Sequence, residues 1–157
     1  MAKGPFMEYL RQTVTQSGAN AYTEHEIATP TSKTENMAML IHSIEFSASR
    51  FVEAAPANGD AIQLQVTSTH QNSITEIADP DCIALYEVFV HLNAVFNTIF
   101  THGAHHIKFD PPLLYPKAHL YLAVGSNGLA AAIAGQFRIG YTLEKVSRED
   151  FISALVE

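Results

Sequence analysis

The 157-residue sequence is poor in the residues that most often cross-link a chain or carry reactive chemistry. It has one cysteine, Cys82, and no tryptophan. A single cysteine excludes an intrachain disulfide framework and a metal site built from thiolates alone. Without disulfides the fold is compatible with any redox compartment. We interpret Cys82 as a buried or incidental thiol, because no histidine accompanies it in the sequence as a base would.

Charged residues are scarce as well. They make up 16% of the chain, against about 25% in a typical domain. Low charge is also a property of protein–protein interfaces, so the composition fits either a low-charge monomer or a subunit of an assembly. The net charge is −7 and the amino-terminal end has no basic arm. Strong direct binding to nucleic acid is therefore not expected.

Long apolar runs are missing too. No run reaches the ~18 residues of a membrane-spanning helix. The first ten residues, MAKGPFMEYL, lack the apolar segment of a signal peptide. We therefore expect a soluble protein made inside a cell, and leave membrane contact open.

The length indicates one domain, which we divide into an amino-terminal arm over residues 1–20 and a single β-sandwich domain over residues 21–157.

The sequence does contain a series of segments in which apolar and polar residues alternate. Alternation predicts half-buried strands, because successive side chains leave opposite faces of the backbone. Turn chemistry separates these predicted strands, which cover residues 22–27, 37–46, 62–66, 83–95 and 107–109. The first is expected at a sheet edge because a proline follows it, and the second in the interior because both of its faces begin apolar.

The longest alternating stretch is residues 120–141, which we interpret as a hairpin around a Gly-Ser-Asn-Gly turn at 125–128. Small residues after this turn would allow another backbone to approach closely. The apolar face of its second strand is expected in the core and consists of Gly135, Phe137, Ile139 and Tyr141. Ser147, with an acid three residues later, predicts the start of a short terminal helix. The predicted fold is all-β: an antiparallel β-sandwich of jelly-roll type with an amino-terminal arm and a short carboxy-terminal helix.

One group of residues has the composition of a metal site. His102, His105 and His106 lie in a predicted loop over residues 101–106, and imidazole is a common metal ligand. Neither H-E-x-x-H nor the cupin pattern accompanies them, and there is no G-x-S-x-G elbow. We expect no enzyme activity and no cofactor. The alternative is a small β-barrel or cupin-like metal-binding protein, or a carbohydrate-binding module, that uses this loop. The absence of tryptophan argues against sugar binding, although tyrosine rings can also stack on sugars.

A proline-rich segment over residues 109–116 is the second candidate. Its three prolines predict a rigid, extended path. It is either a rigid loop folded onto the sandwich or a surface that docks on a neighbouring subunit, with Tyr115 as an anchor. The candidate interface residues are Phe6, Leu10, Pro111, Pro112, Leu114 and Tyr115.

The plan of the chain resembles the single jelly-roll capsid proteins of icosahedral viruses. The resemblance covers about residues 21–146 and consists of an arm, serial strands joined by Thr-, Asn- and Pro-rich loops, and a terminal hairpin followed by IGYTLEKVS. It implies self-assembly into a shell, with copies of itself and other capsid proteins as partners. It also implies synthesis in a host cytoplasm, residence in the virion and no catalysis. The missing basic arm departs from genome-binding members and allows a shell over a membrane, a decoration protein, or packaging by another component.

Overall fold

Two antiparallel sheets packed face to face make up the protein. The computed structural model describes residues 6–49, 57–92, 97–102 and 105–156. The elements in this part of the chain are β1 (Glu8–Thr15), β2 (Thr23–Ala28), β3 (Met37–Ser49), β4 (Ala61–Thr67), β5 (Cys82–Leu92), β6 (Asn97–His102), β7 (His106–Tyr115), β8 (His119–Asn127), β9 (Ala134–Lys145) and α1 (Arg148–Val156). Sheet I has the order β1-β9-β3-β7, and sheet II has the order β2-β8-β4-β5-β6. Without β6, which extends the edge beyond β5, this is the jelly-roll order. The predicted all-β sandwich with a terminal helix is confirmed.

The hairpin predicted over residues 120–141 is wrong. Its two halves are the strands β8 and β9, but β8 pairs with β2 and β4 in sheet II, whereas β9 pairs with β1 and β3 in sheet I. Residues 125–127 of the expected turn belong to β8, and the chain crosses between the sheets over residues 128–133. The crossing begins at Gly128, whose φ of 76° lies in the left-handed region that favours glycine.

The prediction of which β9 side chains face the core is correct over residues 135–139. Gly135, Phe137, Ile139 and Tyr141 are buried, and the two polar residues between the first three are exposed. Gly140 is also buried, on the outer face, where Tyr9 and Met7 of the chain around β1 lie over it. Burial on this face therefore comes from β1, a segment that was expected to be an arm.

The edges of the sheets follow the predictions in part. β2 is an edge strand and β3 is interior, as expected. Residues 8–15, inside the predicted arm, form the edge strand β1 of sheet I. The strand predicted over residues 83–95 is β5, although residues 93–96 lie outside the described ranges, and the sequence did not reveal β6.

β7 is longer than predicted because the strand continues beyond a large bulge. Lys108 pairs with Ser43 and Leu113 pairs with Ile41, so residues 109–112 oppose the single residue His42 of β3. Prolines are tolerated at this point because β7 is an edge strand and the bulge needs no ladder hydrogen bonds. The Asp110-Pro111 peptide bond is cis. The loop expected over residues 101–106 is shorter than predicted, since residues 101–102 end β6 and His106 begins β7.

The core lies between the sheets and consists of aliphatic and aromatic side chains. Its largest fully buried apolar members are Met39, Ile41, Ile44, Ile62, Leu64, Leu120, Leu122 and Ile139. The two sheets approach each other closely at Gly135, since a Cβ there would lie 2.5 Å from Leu64 Cδ2 and 2.6 Å from Val124 Cγ2 of the other sheet. The small residue at this position therefore serves the packing of the two sheets.

The terminal helix begins as predicted. The Ser147 hydroxyl accepts a hydrogen bond from the Asp150 N–H at 3.0 Å and donates to the Asp150 carboxylate at 2.6 Å. This caps the first turn of α1, and Phe151 then anchors the helix in the interior. Among the described residues, no helix has the length and apolar character needed to span a membrane.

Candidate interaction surfaces

Three apolar side chains at the start of β1 have large exposed fractions. Phe6 is 76% exposed, Met7 45% and Tyr9 47%. The Tyr9 ring also lies under the Arg138 guanidinium, which is 5.3 Å from the ring centroid. We call Phe6, Met7 and Tyr9 the amino-terminal patch. Phe6 is thus placed as an interface residue would be, whereas Leu10, the next predicted interface residue, is half-buried and packs against the core of its own subunit.

A second apolar surface lies along β7 and α1. It is a groove of about 460 Å³ whose lining includes Phe109, Pro111, Pro112 and Leu114, together with Ala154 of the helix. We call it the proline groove. Its lining contains four of the six candidate interface residues, Pro111, Pro112, Leu114 and Tyr115, and Pro111 among them is exposed.

Tyr115, a predicted interface residue, is buried and hydrogen-bonded within the chain. Its side chain also borders the proline groove, but the residue is only 4% exposed and belongs to the core. Its hydroxyl donates a hydrogen bond to the His119 carbonyl at 2.6 Å, and burial raises the pKa of the phenol. The ring therefore packs inside its own chain, and little of its surface is exposed for contact with a neighbouring molecule.

The amino-terminal patch and the proline groove lie on opposite edges of sheet I at the same level. The strand register connects Glu8 of β1 to Tyr141 of β9, Tyr141 to Ile41 of β3, and Ile41 to Leu113 of β7. Residues 6–9 therefore stand across the whole width of the sheet from residues 111–114. A single sheet thus presents an apolar projection at one edge and an apolar depression at the other.

Two of the three predicted histidines, His105 and His106, line a third groove, of about 540 Å³, on sheet I. Glu45 also lines it, and the hydrogen bond from Arg138 holds the pKa of the Glu45 carboxyl below its usual value. His106 Nε2 is 3.6 Å from the same carboxylate, and His105 is exposed. His102 ends β6 in sheet II, and its side chain lies outside those described. Among the described residues, no three His, Cys, Asp or Glu side chains form a group that could hold a metal ion.

The fourth surface was not predicted from the sequence. It is a groove of about 590 Å³ formed by β2, β8 and the segment 68–81, which folds over the outer face of sheet II. We call it the tyrosine–glutamate groove. Its principal side chains are Tyr22, Glu24, Glu26, Tyr121, His70 and Asn72.

The Glu24 carboxylate is held in place by hydrogen bonds on both of its oxygens. Its side chain is only 8% exposed, and its carboxylate accepts hydrogen bonds from the Tyr22 hydroxyl at 2.8 Å and from the Gln71 N–H at 3.0 Å. His70 Nδ1 contacts the other carboxylate oxygen. Burial and the Glu24 carboxylate together raise the pKa of Tyr22 well above its ordinary value. Alternation along the first strand puts Tyr22, Glu24 and Glu26 on one face, but the other residues that line the groove are at positions 70–72 and 121, far away in the sequence.

Gln65 holds the segment 68–81 in place. It is fully buried, and its side-chain oxygen accepts a hydrogen bond from the Thr75 N–H at 2.8 Å. Its amide nitrogen lies 3.4 Å from the Tyr22 hydroxyl and 3.5 Å from the Ser73 carbonyl. A buried polar side chain of this kind costs stability unless it is hydrogen-bonded, so its partners specify where the segment sits.

Comparison with known proteins does not add a family to this picture. Neither the scan against protein-family models nor the search of curated proteins found a match to the chain. The inference of function therefore depends on the jelly-roll fold and on the surfaces described above.

Proposed function

We propose that this chain is a structural subunit that assembles with copies of itself into a shell, as a coat protein of a virion does. The observation that carries the proposal is the pair of apolar surfaces at opposite edges of sheet I. The jelly-roll strand order and the low charge of the chain support it. In this proposal the protein is made in a host cytoplasm, resides in the virion, has copies of itself or other coat proteins as partners, and performs no catalysis.

The two surfaces favour a head-to-tail contact. In this contact, the amino-terminal patch of one copy enters the proline groove of the next. Because the surfaces differ, each new copy leaves the same two surfaces free at the ends, and assembly continues until a ring closes; a shell then needs a further contact between such rings. Backbone pairing is not the source of this contact, since the prolines and the bulge in β7 prevent a regular ladder at that edge. Side-chain packing carries it instead.

Within the amino-terminal patch, Phe6 has the largest exposed fraction and would therefore bury the most apolar surface in this contact. An aromatic side chain has roughly 150–250 Å² to bury, and Phe6 leaves 76% of its surface in water. Covering that part would remove about 110–190 Å² from water, worth roughly 3–5 kcal/mol at about 25 cal/mol per Å². Ordering the side chain and joining two molecules lower this figure, so truncation of Phe6 is expected to cost about 2 kcal/mol of the contact.

The experiment is sedimentation velocity and negative-stain microscopy of the purified full-length chain over a range of concentrations. The wild-type protein is expected to form closed particles or rings. Phe6→Ser should raise the concentration needed for assembly by about 30-fold, which corresponds to a loss of about 2 kcal/mol. The matched control is Ile77→Ser, because Ile77 is 70% exposed but lies on the segment over sheet II.

Two results would contradict the proposal. One is a wild-type protein that stays monomeric at the highest concentration reached. The other is a Phe6→Ser variant that assembles at the same concentration as Ile77→Ser, which would remove the amino-terminal patch from the contact.

A further inference from the structure

We propose that the tyrosine–glutamate groove binds a neutral saccharide. This function is distinct from the proposed assembly, because no residue that lines the tyrosine–glutamate groove also lines the proline groove, although Ser68 and Pro80 of the segment 68–81 belong to the latter. The volume of about 590 Å³ falls in the range of small-molecule sites. The identity of the ligand follows from the polar groups, the aromatic rings and the charges that line the groove.

The polar groups fit hydroxyl groups. Sugar hydroxyls need fixed acceptors and donors at the edge of the ring, and the groove presents carboxylates, an imidazole and amides. Glu24 is held rigidly by Tyr22, Gln71 and His70, so its orientation is set before a ligand arrives. Glu26 is half-exposed at the rim, where its carboxylate lies 2.7 Å from His119 Nδ1. A preorganised acceptor loses little entropy on binding.

The aromatic rings fit the apolar face of a pyranose. Tyr121 and His70 lie with their ring centroids 6.2 Å apart at 57°, so the two rings form a wall and a floor. The C–H groups of a sugar ring can pack on such a surface while the hydroxyls at its edge reach the polar groups. Tyr121 is half-buried, so its ring is supported by β8 and still accessible.

The charges exclude other ligand classes. Among the described residues that line the groove there is no lysine or arginine, so phosphate, sulfate and sialic acid lack a counter-charge. Aliphatic side chains are also missing from that lining, so a lipid chain lacks an apolar surface. The Glu24 carboxylate already accepts hydrogen bonds from three groups, so it acts as an oriented acceptor more than as a free charge for a cation. A neutral saccharide satisfies all of these conditions.

The test begins with an array of immobilised neutral oligosaccharides of glucose, galactose, mannose and N-acetylglucosamine, with sialylated and sulfated forms of the same sugars. Binding of the wild-type chain to a neutral glycan is expected, and isothermal titration calorimetry with that glycan gives the Kd. Tyr121→Ala and Glu26→Gln should each weaken binding by about tenfold or more, since each removes a ring or a charged acceptor from the site. Glu26→Gln keeps the shape of an exposed side chain, so it remains informative if Tyr121→Ala fails to fold.

The controls separate this site from assembly. Glu76→Gln changes an exposed carboxylate of the same segment outside the groove and should leave the Kd unchanged. Tyr9→Ala should impair assembly and leave sugar binding intact, whereas Tyr121→Ala should do the reverse. The proposal is overturned if no neutral glycan binds, if only acidic glycans bind, or if Glu26→Gln and Tyr121→Ala both retain wild-type affinity. Binding of calcium chloride alone, lost in Glu26→Gln and without any glycan bound, would assign the groove to a cation instead.

Discussion

Replacing Gly135 with alanine tests how closely the two sheets pack. The added Cβ would lie 2.5 Å from Leu64 Cδ2 and 2.6 Å from Val124 Cγ2, while ordinary van der Waals contacts begin at 3.4 Å. The two side chains must therefore retreat by about 0.9 and 0.8 Å, the differences between these distances. Both belong to the other sheet and are fully buried, so neither can move into solvent.

Two opposing effects decide the size of the change. Overpacking a close-packed interior costs about 1–3 kcal/mol. Alanine gains about 0.5–1 kcal/mol over glycine in a strand, because the unfolded chain loses less conformational freedom. The overpacking cost prevails, and we expect Gly135→Ala to lower the free energy of unfolding by about 1–2 kcal/mol. For a chain of this length that corresponds to a decrease in Tm of about 2–4 °C per kcal/mol.

The assay is urea unfolding followed by circular dichroism, below the concentration at which the chain assembles. The matched control is Gly18→Ala, since a Cβ at Gly18 would meet nothing within 4 Å. The double variant Gly135→Ala/Val124→Ala removes one of the two clashing groups. Its loss of stability should therefore be smaller than the sum of the two single losses by about 1 kcal/mol.

The reasoning is refuted if Gly135→Ala is as stable as Gly18→Ala. It is also refuted if the double variant is additive within about 0.5 kcal/mol, because independent sites behave in that way.

Two further predictions concern buried tyrosines. Tyr115→Phe removes the hydrogen bond to the His119 carbonyl and should lower the free energy of unfolding in urea by about 1 kcal/mol; an unchanged midpoint would contradict the role given to this hydroxyl. Burial, the hydrogen bond to Glu8 and the charge of that carboxylate raise the pKa of Tyr141 from 10.0 to about 12. Because the folded state holds the phenol proton more tightly, this stabilisation is complete below pH 10 and is lost as the pH rises towards about 12. Stability measured across that window should decline less steeply in Tyr141→Phe than in the wild-type chain, and equal slopes would contradict the assignment.

The candidate surfaces were predictable only where they depend on one segment of the chain. Phe6 and the proline-rich segment were identified because each is continuous in sequence. The sequence did not show that these two surfaces lie at the same level on opposite edges of sheet I. Their relative position depends on how β1 pairs with β9, β9 with β3 and β3 with β7, and the sequence does not reveal these pairings. The tyrosine–glutamate groove was missed for the same reason, because Glu24 and His70 belong to segments that meet only after folding.

The histidine group shows that proximity in the sequence can have little to do with proximity in the fold. His102, His105 and His106 are close in sequence, which suggested a common site. The structure places the first at the end of β6 in sheet II and the last at the start of β7 in sheet I, where it faces Glu45. Proximity along a chain does not make side chains converge when the backbone is extended, because neighbouring residues then point in different directions.

By itself, the sequence determined most of the strands, although not β1 or β6, together with the buried face of β9, the interior position of β3 and the capped start of α1. These features depend on local physics: the alternation of side chains along an extended backbone, the apolar or polar character of each face, and a serine hydroxyl within reach of an N–H three residues later. Only the tertiary structure decided which strands pair. Alternation shows that one face of a strand is buried but not which strand covers it or lies beside it. β8 and β9 were therefore separated into different sheets by contacts with β1, β2, β3 and β4, which are distant in sequence and close only once the sandwich has formed.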